Sequence, residues 1–290
     1  MGILLGLLTA LSWGGGDFLA RFATRRIGTL RTVLYMQAFG FLLLTFFLYE
    51  FNAWGHLFDG SGWRPWAWGL LAGLLNAFGT FSLYRSFEIG KMSVVAPLSA
   101  SYPALTVVLS FLTGERLTLA RAAGIALTLA GAILVVRGEK TPEKNGAESP
   151  QAKSKGLGWA LCAALGFGVL FWLLGTRIVP ATGPFATVWI IRMFGTFAAL
   201  VILSVKQLPI SPPEAKAGWQ VAGIGVLDTG AFVLNNRGMQ LDQVAVVSVL
   251  ASLYGAVTVA LAAIFLKEHI SRWQWGGIVA IFAGITLISR

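Results

Sequence analysis

Ten apolar runs, each about as long as a helix must be to cross the hydrocarbon core of a bilayer, follow one another with short polar breaks between most of them. Their cores cover residues 2–21, 31–50, 66–87, 93–113, 119–137, 157–176, 184–204, 217–238, 244–266 and 273–289. No alternating period-two pattern supports the strands of a membrane barrel. The expected fold is therefore an all-α membrane protein with ten transmembrane helices, multi-pass in the lipid bilayer. Composition agrees: 12% of residues are charged and 56% hydrophobic, with mean hydropathy +0.75, against about 25% charged in soluble domains. Turn-forming or polar groups mark the breaks, among them Gly60-Ser61-Gly62, Gly90-Lys91, Pro180 to Pro184 and Pro209 to Pro213. Trp54, Trp63, Trp66, Trp68, Trp219, Trp273 and Trp275 fall near proposed span ends and read as interfacial anchors.

The longest polar stretch, Arg137 to Gly156, holds two prolines, mixed charges and no large apolar residue. It buries too little to repay ordering and reads as a solvated tether. It divides the chain into a first unit over 1–137, a linker over 138–155 and a second unit over 156–290. The two units are copies. Gly73 to Asn76 falls on Gly225 to Asp228, Tyr84-Arg85 on Asn236-Arg237, and Ser93 to Tyr102 on Ala245 to Tyr254. One inserted residue later, Gly114-Glu115-Arg116 falls on Lys267-Glu268-His269. A unit of five spans ends on the opposite side of the membrane from its start, so the second copy is expected to be inverted. Inverted repeats are an architecture of secondary carriers, whose halves rock about a site near the midplane.

With Ser12-Trp13-Gly14-Gly15-Gly16-Asp17-Phe18 in the first span, Ser93-Val-Val-Ala-Pro97 opening the fourth and Gly114-Glu115-Arg116-Leu-Thr118 before the fifth, the chain resembles the drug/metabolite transporter superfamily. The likeness is to its ten-span EamA type, built of two five-span EamA repeats. The second copy answers with Phe167-Gly168, Val246 to Tyr254 and Lys267-Glu268-His269. The resemblance spans all but the linker. It implies movement of small metabolites across a bacterial inner membrane, often export of amino acids or related compounds. It leaves the substrate open, since relatives carry amino acids, nucleobases, drugs, sugar phosphates or quaternary amines.

Charges deep in a span are expensive and mark sites, and here they are Asp17, Asp228 and Arg192. Asp17 shares a helix face with Trp13, so a carboxylate and an aromatic ring are available together for an ammonium group. Pairing of Asp17 with Arg21 or Arg25 is the structural alternative. Asp228 carries Phe232 and Asn235 on its face, and its repeat partner Asn76 is also polar, which suggests a central polar cavity. Arg192, with Trp189 on its face, either receives a substrate carboxylate or pairs with Asp228 to fix packing. If acid and base both face the substrate, a zwitterionic amino acid fits. Ser99 and Tyr102 in the fourth span, and Ser252 and Tyr254 in the ninth, form a further polar group, with Pro97 and Pro103 favouring a bend. Tyr84 and Trp172 complete the candidate substrate-binding set.

Gly14 to Asp17 also fits the Gly-x-Gly-Asp pattern of intramembrane aspartyl proteases, and Asp228-Thr-Gly230 echoes the aspartic-protease tripeptide, so an enzyme is the rival class. A channel or scramblase is the third. No catalytic residue, cofactor or metal ligand is assigned, and no P-loop points to direct ATP drive. The expected partners are a small-molecule substrate, a coupling proton or cation, and lipid, with the chain a monomer or homodimer. The net charge of +10 forms no stripe interleaved with aromatics and so does not point to nucleic acid. Cys162, alone, reads as a packed small residue, and the first span as one retained without cleavage. Of 22 Lys and Arg, fifteen lie on the linker side and six on the side of the termini. Charge therefore puts the linker in the cytoplasm, whereas the family resemblance implies cytoplasmic termini.

Overall fold

The computed structural model describes residues 1–112, 118–139, 156–241, 247, 250–268 and 270–288. The linker over 140–155 and the motif residues Gly114, Glu115, Arg116, Val246, Ser248 and His269 lie outside the described residues. All the rest is helix and short connections. The first repeat holds α1 (Gly2–Ile27), α2 (Thr29–Phe51), α3 (Arg64–Ile89), α4 (Met92–Ser99), α5 (Pro103–Leu112) and α6 (Leu119–Glu139). The second holds α7 (Leu157–Leu173), α8 (Val179–Thr182), α9 (Pro184–Val205), α10 (Ala215–Leu241), α11 (Tyr254–Leu261) and α12 (Arg272–Ile288). Ten spans result. α4 with α5 makes the fourth, α7 with α8 the sixth, and Leu250 onward through α11 the described part of the ninth.

The repeats interlock. α1 packs on α10 and α11, and α7 packs reciprocally on α3, α4 and α5. The spans that close each repeat, α6 and α12, run antiparallel against each other: Gly131 abuts Gly277, and Gly284 abuts Gly124 and Thr128. An antiparallel crossing of equivalent helices is what inversion of the second copy requires. The contact is backbone on backbone, as small residues allow between membrane helices.

Single-residue slips between the copies have a local cause. Trp13 corresponds to Phe167, and Gly28 to Gly183; these two glycines share a left-handed turn, φ 80 and 89 with ψ 158 and 154, that starts α2 and α9. Between Phe167 and Gly183 the second copy gains one residue, and there a π-helical turn, Leu174–Ile178, joins α7 to α8. The insertion after Tyr254 coincides with a second π turn, Ala262–Leu266. A π turn absorbs an extra residue while keeping backbone groups bonded, so residues before it hold their facing.

The fourth and ninth spans are broken where the repeats correspond. Ala100 to Tyr102 turn between α4 and α5 through tight bonds, Ser101 N to Leu98 O and Ala104 N to Ser101 O. Leu253 does the same before α11, with its own N bonded to Leu250 O. Pro97 sits inside α4 and Pro103 opens α5, yet the ninth span breaks without proline, at Leu253. The two breaks meet: a Cβ on Gly255 would lie 2.7 Å from the Ala100 Cβ.

Among the tryptophans, Trp63, Trp219, Trp273 and Trp275 are exposed at helix ends, as anchors are. Trp54 and Trp66 instead turn inward and meet Trp189 edge-on at 5.5 and 6.3 Å. They correct the anchor assignment, because the loop over 52–63 folds back, with His56 N bonded to Thr182 O at 3.2 Å.

The α6–α12 crossing is testable in detergent by thermal unfolding. Gly277→Ala places a Cβ 2.6 Å from Gly131 O and 2.7 Å from Val135 N, and a loss of about 1–3 kcal/mol is expected from overpacking. Gly276→Ala meets nothing within 4 Å and is expected to change stability by less than about 0.5 kcal/mol.

Candidate functional site

A cavity lies where α1, α3, α7 and α10 meet the two span breaks. Its walls come in repeat-related pairs: Trp13 with Phe167, Asp17 with Phe171, Thr80 with Phe232, and Tyr102 with Tyr254, joined by Leu83, Tyr84 and Asp228. The aromatic rings form one connected group. Trp13 meets Phe171, Phe232 and Tyr254 edge-on at 5.6, 5.2 and 6.0 Å. Tyr102 stacks on Phe171 at 4.8 Å, and Phe171 on Phe232 at 5.9 Å. The open space is small, with room for about two waters.

Two carboxylates face this space from touching helices, because Gly16 lets α1 approach α10 at Leu227 and the Asp228 backbone. Their surroundings differ. Asp228 is engaged by Arg192, whose Nη2 stands 2.6 Å from Oδ2; the contact is an ion pair by distance but is not aligned as a hydrogen bond. Arg192 Nη1 also donates to Gln37 Oε1 at 2.8 Å, and its guanidinium lies 5.2 Å from the Phe232 ring centre. Asp17, 6% exposed, keeps an oxygen, Oδ2, with no hydrogen-bond donor among the described residues. The Tyr102 hydroxyl is likewise unpartnered. Buried polar atoms of a native fold are almost always bonded, and this pair has hydrogen-bonding capacity that no described residue fills.

Neither Arg21 nor Arg25 turns to Asp17. Arg21 follows Asp17 by one helical turn on the face that carries Trp13. It donates to Phe87 O and, at 2.6 Å, to Gly90 O, and it pairs with Glu268 at 3.5 Å. Glu268 in turn accepts the amides of Met92 and Ser93 at 3.2 and 2.8 Å, capping α4. Arg25 bonds Glu88 O and Gly90 O. The lock ties the ends of spans one, three, four and nine together.

Of the candidate residues read from the sequence, Trp13, Asp17, Tyr84, Tyr102, Asp228 and Tyr254 line the cavity. Arg192 lies directly behind it. Asn76 continues the cavity face of α3 one turn beyond Thr80, buried with both amide atoms unpartnered. Ser99 bonds Ala96 O and lies 3.5 Å from the Tyr254 hydroxyl, supporting the break. Ser252 and Asn235 are buried outside the lining, the latter 3.7 Å from Met239 Sδ. Trp172 and Trp189 are absent from the lining, and Trp189 donates to Thr45 and packs with Trp54 and Trp66. Gln37 escaped the sequence reading, although it follows Gly28 by as many residues as Arg192 follows Gly183. Arg85 and Arg237 bind neighbours on their own helices, Glu88 and Gln240.

The chain matches the pattern of the EamA-like transporter family over residues 1–137 and again over 154–290. It belongs to that family. Its activity is accordingly transport, and it is a multi-pass membrane protein. A Methanocaldococcus jannaschii protein of uncharacterised function is 31% identical over 46% of this chain and 94% of its own length, so that relative is about one repeat long. A probable transport protein of Saccharomyces cerevisiae is 21% identical over 75% of this chain and 67% of its own. An uncharacterised transporter of Bacillus subtilis is 26% identical over 76% and 70%. A crystal structure with 17% identity superposes with a TM-score of 0.65, covering 99% of this chain and 95% of that one, which shows the shared fold. The rival protease reading needs two carboxylates sharing a proton; here Asp228 is committed to Arg192.

The ion pair yields a stability test by denaturant or thermal unfolding. Asp228→Ala strands the fully buried Arg192 and is expected to cost about 3–5 kcal/mol. Adding Arg192→Leu should restore most of that loss.

Proposed function

We propose that the protein is a secondary carrier that moves a small amphiphilic amine across a bacterial-type inner membrane by alternating access, as an exporter. The observation that carries this is Asp17, a buried carboxylate with a free oxygen inside an aromatic cage. A charge so placed needs a counter-charge, either a proton or the ammonium of a substrate. Aromatic faces around the acid add cation-π attraction and a surface for the substrate's apolar part. Exchange of the two cations at one carboxylate couples substrate movement to protons without any further cofactor.

The amino-acid reading is weaker in this geometry. A zwitterion brings a carboxylate that needs a free cation, and Arg192 is already bound to Asp228 and Gln37. Alternating access supplies the room the cavity lacks. Separation of the Arg21–Glu268 lock opens the linker side, and rocking of the inverted repeat opens the other.

Uptake of a labelled arylalkylamine into proteoliposomes tests the proposal. Asp17→Asn is expected to lower transport about 10- to 100-fold, the cost of losing one charge-assisted contact. Trp13→Leu is expected to lower it about tenfold through loss of the aromatic face. Wild-type rates in a folded Asp17→Asn protein refute the reading.

A further inference from the structure

We propose that Arg192 is an internal counter-ion that sets the number of positive charges the cavity accepts at one. The inference rests on the amine reading above and specifies it. Arg192 is held behind the lining. Its guanidinium is fully buried, with Nη2 on Asp228 and Nη1 on Gln37. Its chain runs beside Gly40, where a Cβ would stand 3.2 Å from Arg192 Cδ and 3.3 Å from Nε. The Phe232 ring, whose centroid is 5.2 Å from the guanidinium carbon, is itself part of the cavity wall. Paired with Asp228 by distance and bonded to Gln37 through Nη1, the guanidinium cancels the charge of Asp228 from behind the lining.

Asp17 receives no such compensation. The cation nearest to it along its own helix face, Arg21, is spent on Glu268 and on the carbonyls of Phe87 and Gly90. Two carboxylates and one guanidinium leave the site one negative charge. A single ammonium balances it, a diammonium leaves a surplus positive charge, and a zwitterion adds an unpartnered carboxylate. Unbalanced charge in a water-poor membrane site is strongly disfavoured.

The repeat indicates that the ion pair is not a requirement of the fold. Arg192 corresponds to Gln37 and Asp228 to Asn76, so the first copy carries neutral amides at both positions. Gly40 and Gly195, also equivalent, make room for the two partners alike, as a Cβ on Gly195 would stand 2.6 Å from Gln37 Nε2. Charge was placed in one copy only. Its consequence is to leave Asp17 as the single uncompensated group.

The test measures binding of three probes of equal aromatic width to the purified full-length chain: 2-phenylethylamine, 1,4-xylylenediamine and phenylalanine. Wild type is expected to favour the monoamine over the diamine by about tenfold or more, as one unbalanced buried charge requires. Arg192→Gln, which frees the Asp228 charge, should shift this ratio at least about tenfold toward the diamine. Asp228→Asn, which frees the guanidinium instead, should weaken monoamine binding and strengthen phenylalanine. Arg192→Gln with Asp228→Asn should restore the wild-type order. Ratios unchanged in folded Arg192→Gln and Asp228→Asn proteins overturn the proposal and leave Arg192 a packing residue. Asp17→Asn reads the other premise separately: monoamine binding that survives it refutes the amine reading, whatever Arg192 does.

Discussion

Hydrocarbon offers a peptide group no hydrogen bond, so a helix that crosses it can break only where protein covers the break. This chain breaks the fourth span at Ala100 to Tyr102 and the ninth at Leu253, and it covers each with the other. Gly255 supplies the closeness, and the Ser99 and Tyr254 hydroxyls lie 3.5 Å apart across the contact. The remaining architecture follows from that crossing. The breaks place Tyr102 and Tyr254 at the centre, and α1 and α7 wrap around them with Trp13, Asp17, Phe167 and Phe171. α3 and α10 close the sides with Thr80, Tyr84, Asp228 and Phe232. Interior cavity and backbone break are one feature.

Symmetry builds the cavity, and departures from symmetry give it chemistry. Trp13 and Phe167, or Tyr102 and Tyr254, are near-equivalent walls. Asp17 answers Phe171, Asp228 answers Asn76, and Arg192 answers Gln37. All three departures change charge, and together they leave one carboxylate without a partner. The linker-side lock shows the same bias. Arg21 corresponds to Gly175 of the π turn, so the arginine that pins Glu268 has no equivalent in the second copy.

Ten spans were legible in the sequence because the bilayer imposes its length requirement on each run separately. The repeat was legible because Ser93 to Tyr102 and its copy keep the same small residues at the breaks. The register slips were visible too, but their form as π turns was not, since only backbone geometry shows where the extra residue goes. Asp17, Asp228, Tyr84, Tyr102 and Tyr254 stood out as polar atoms inside apolar runs. Phe167 and Phe171 did not, because the chain has 20 phenylalanines and an all-apolar helix does not tell by hydropathy which face turns inward. For the same reason the sequence does not show that Trp172 lies outside the lining or that Trp189 packs against Trp54 and Trp66. Gln37 was findable as a lone amide in an apolar span, once Gly28 is aligned with Gly183.

The central claim is that a substrate ammonium sits in the aromatic cage beside Asp17. An experimental structure with a bromine-labelled arylalkylamine tests it most directly, since anomalous scattering locates the ligand without assumption. The expected result places the cationic nitrogen at the Asp17 carboxylate and within about 6 Å of an aromatic centroid of the cage, with Arg192 still on Asp228. Bromine found instead against the Trp54, Trp66 and Trp189 cluster, or a ligand nitrogen on Asp228 with Arg192 displaced, contradicts the account.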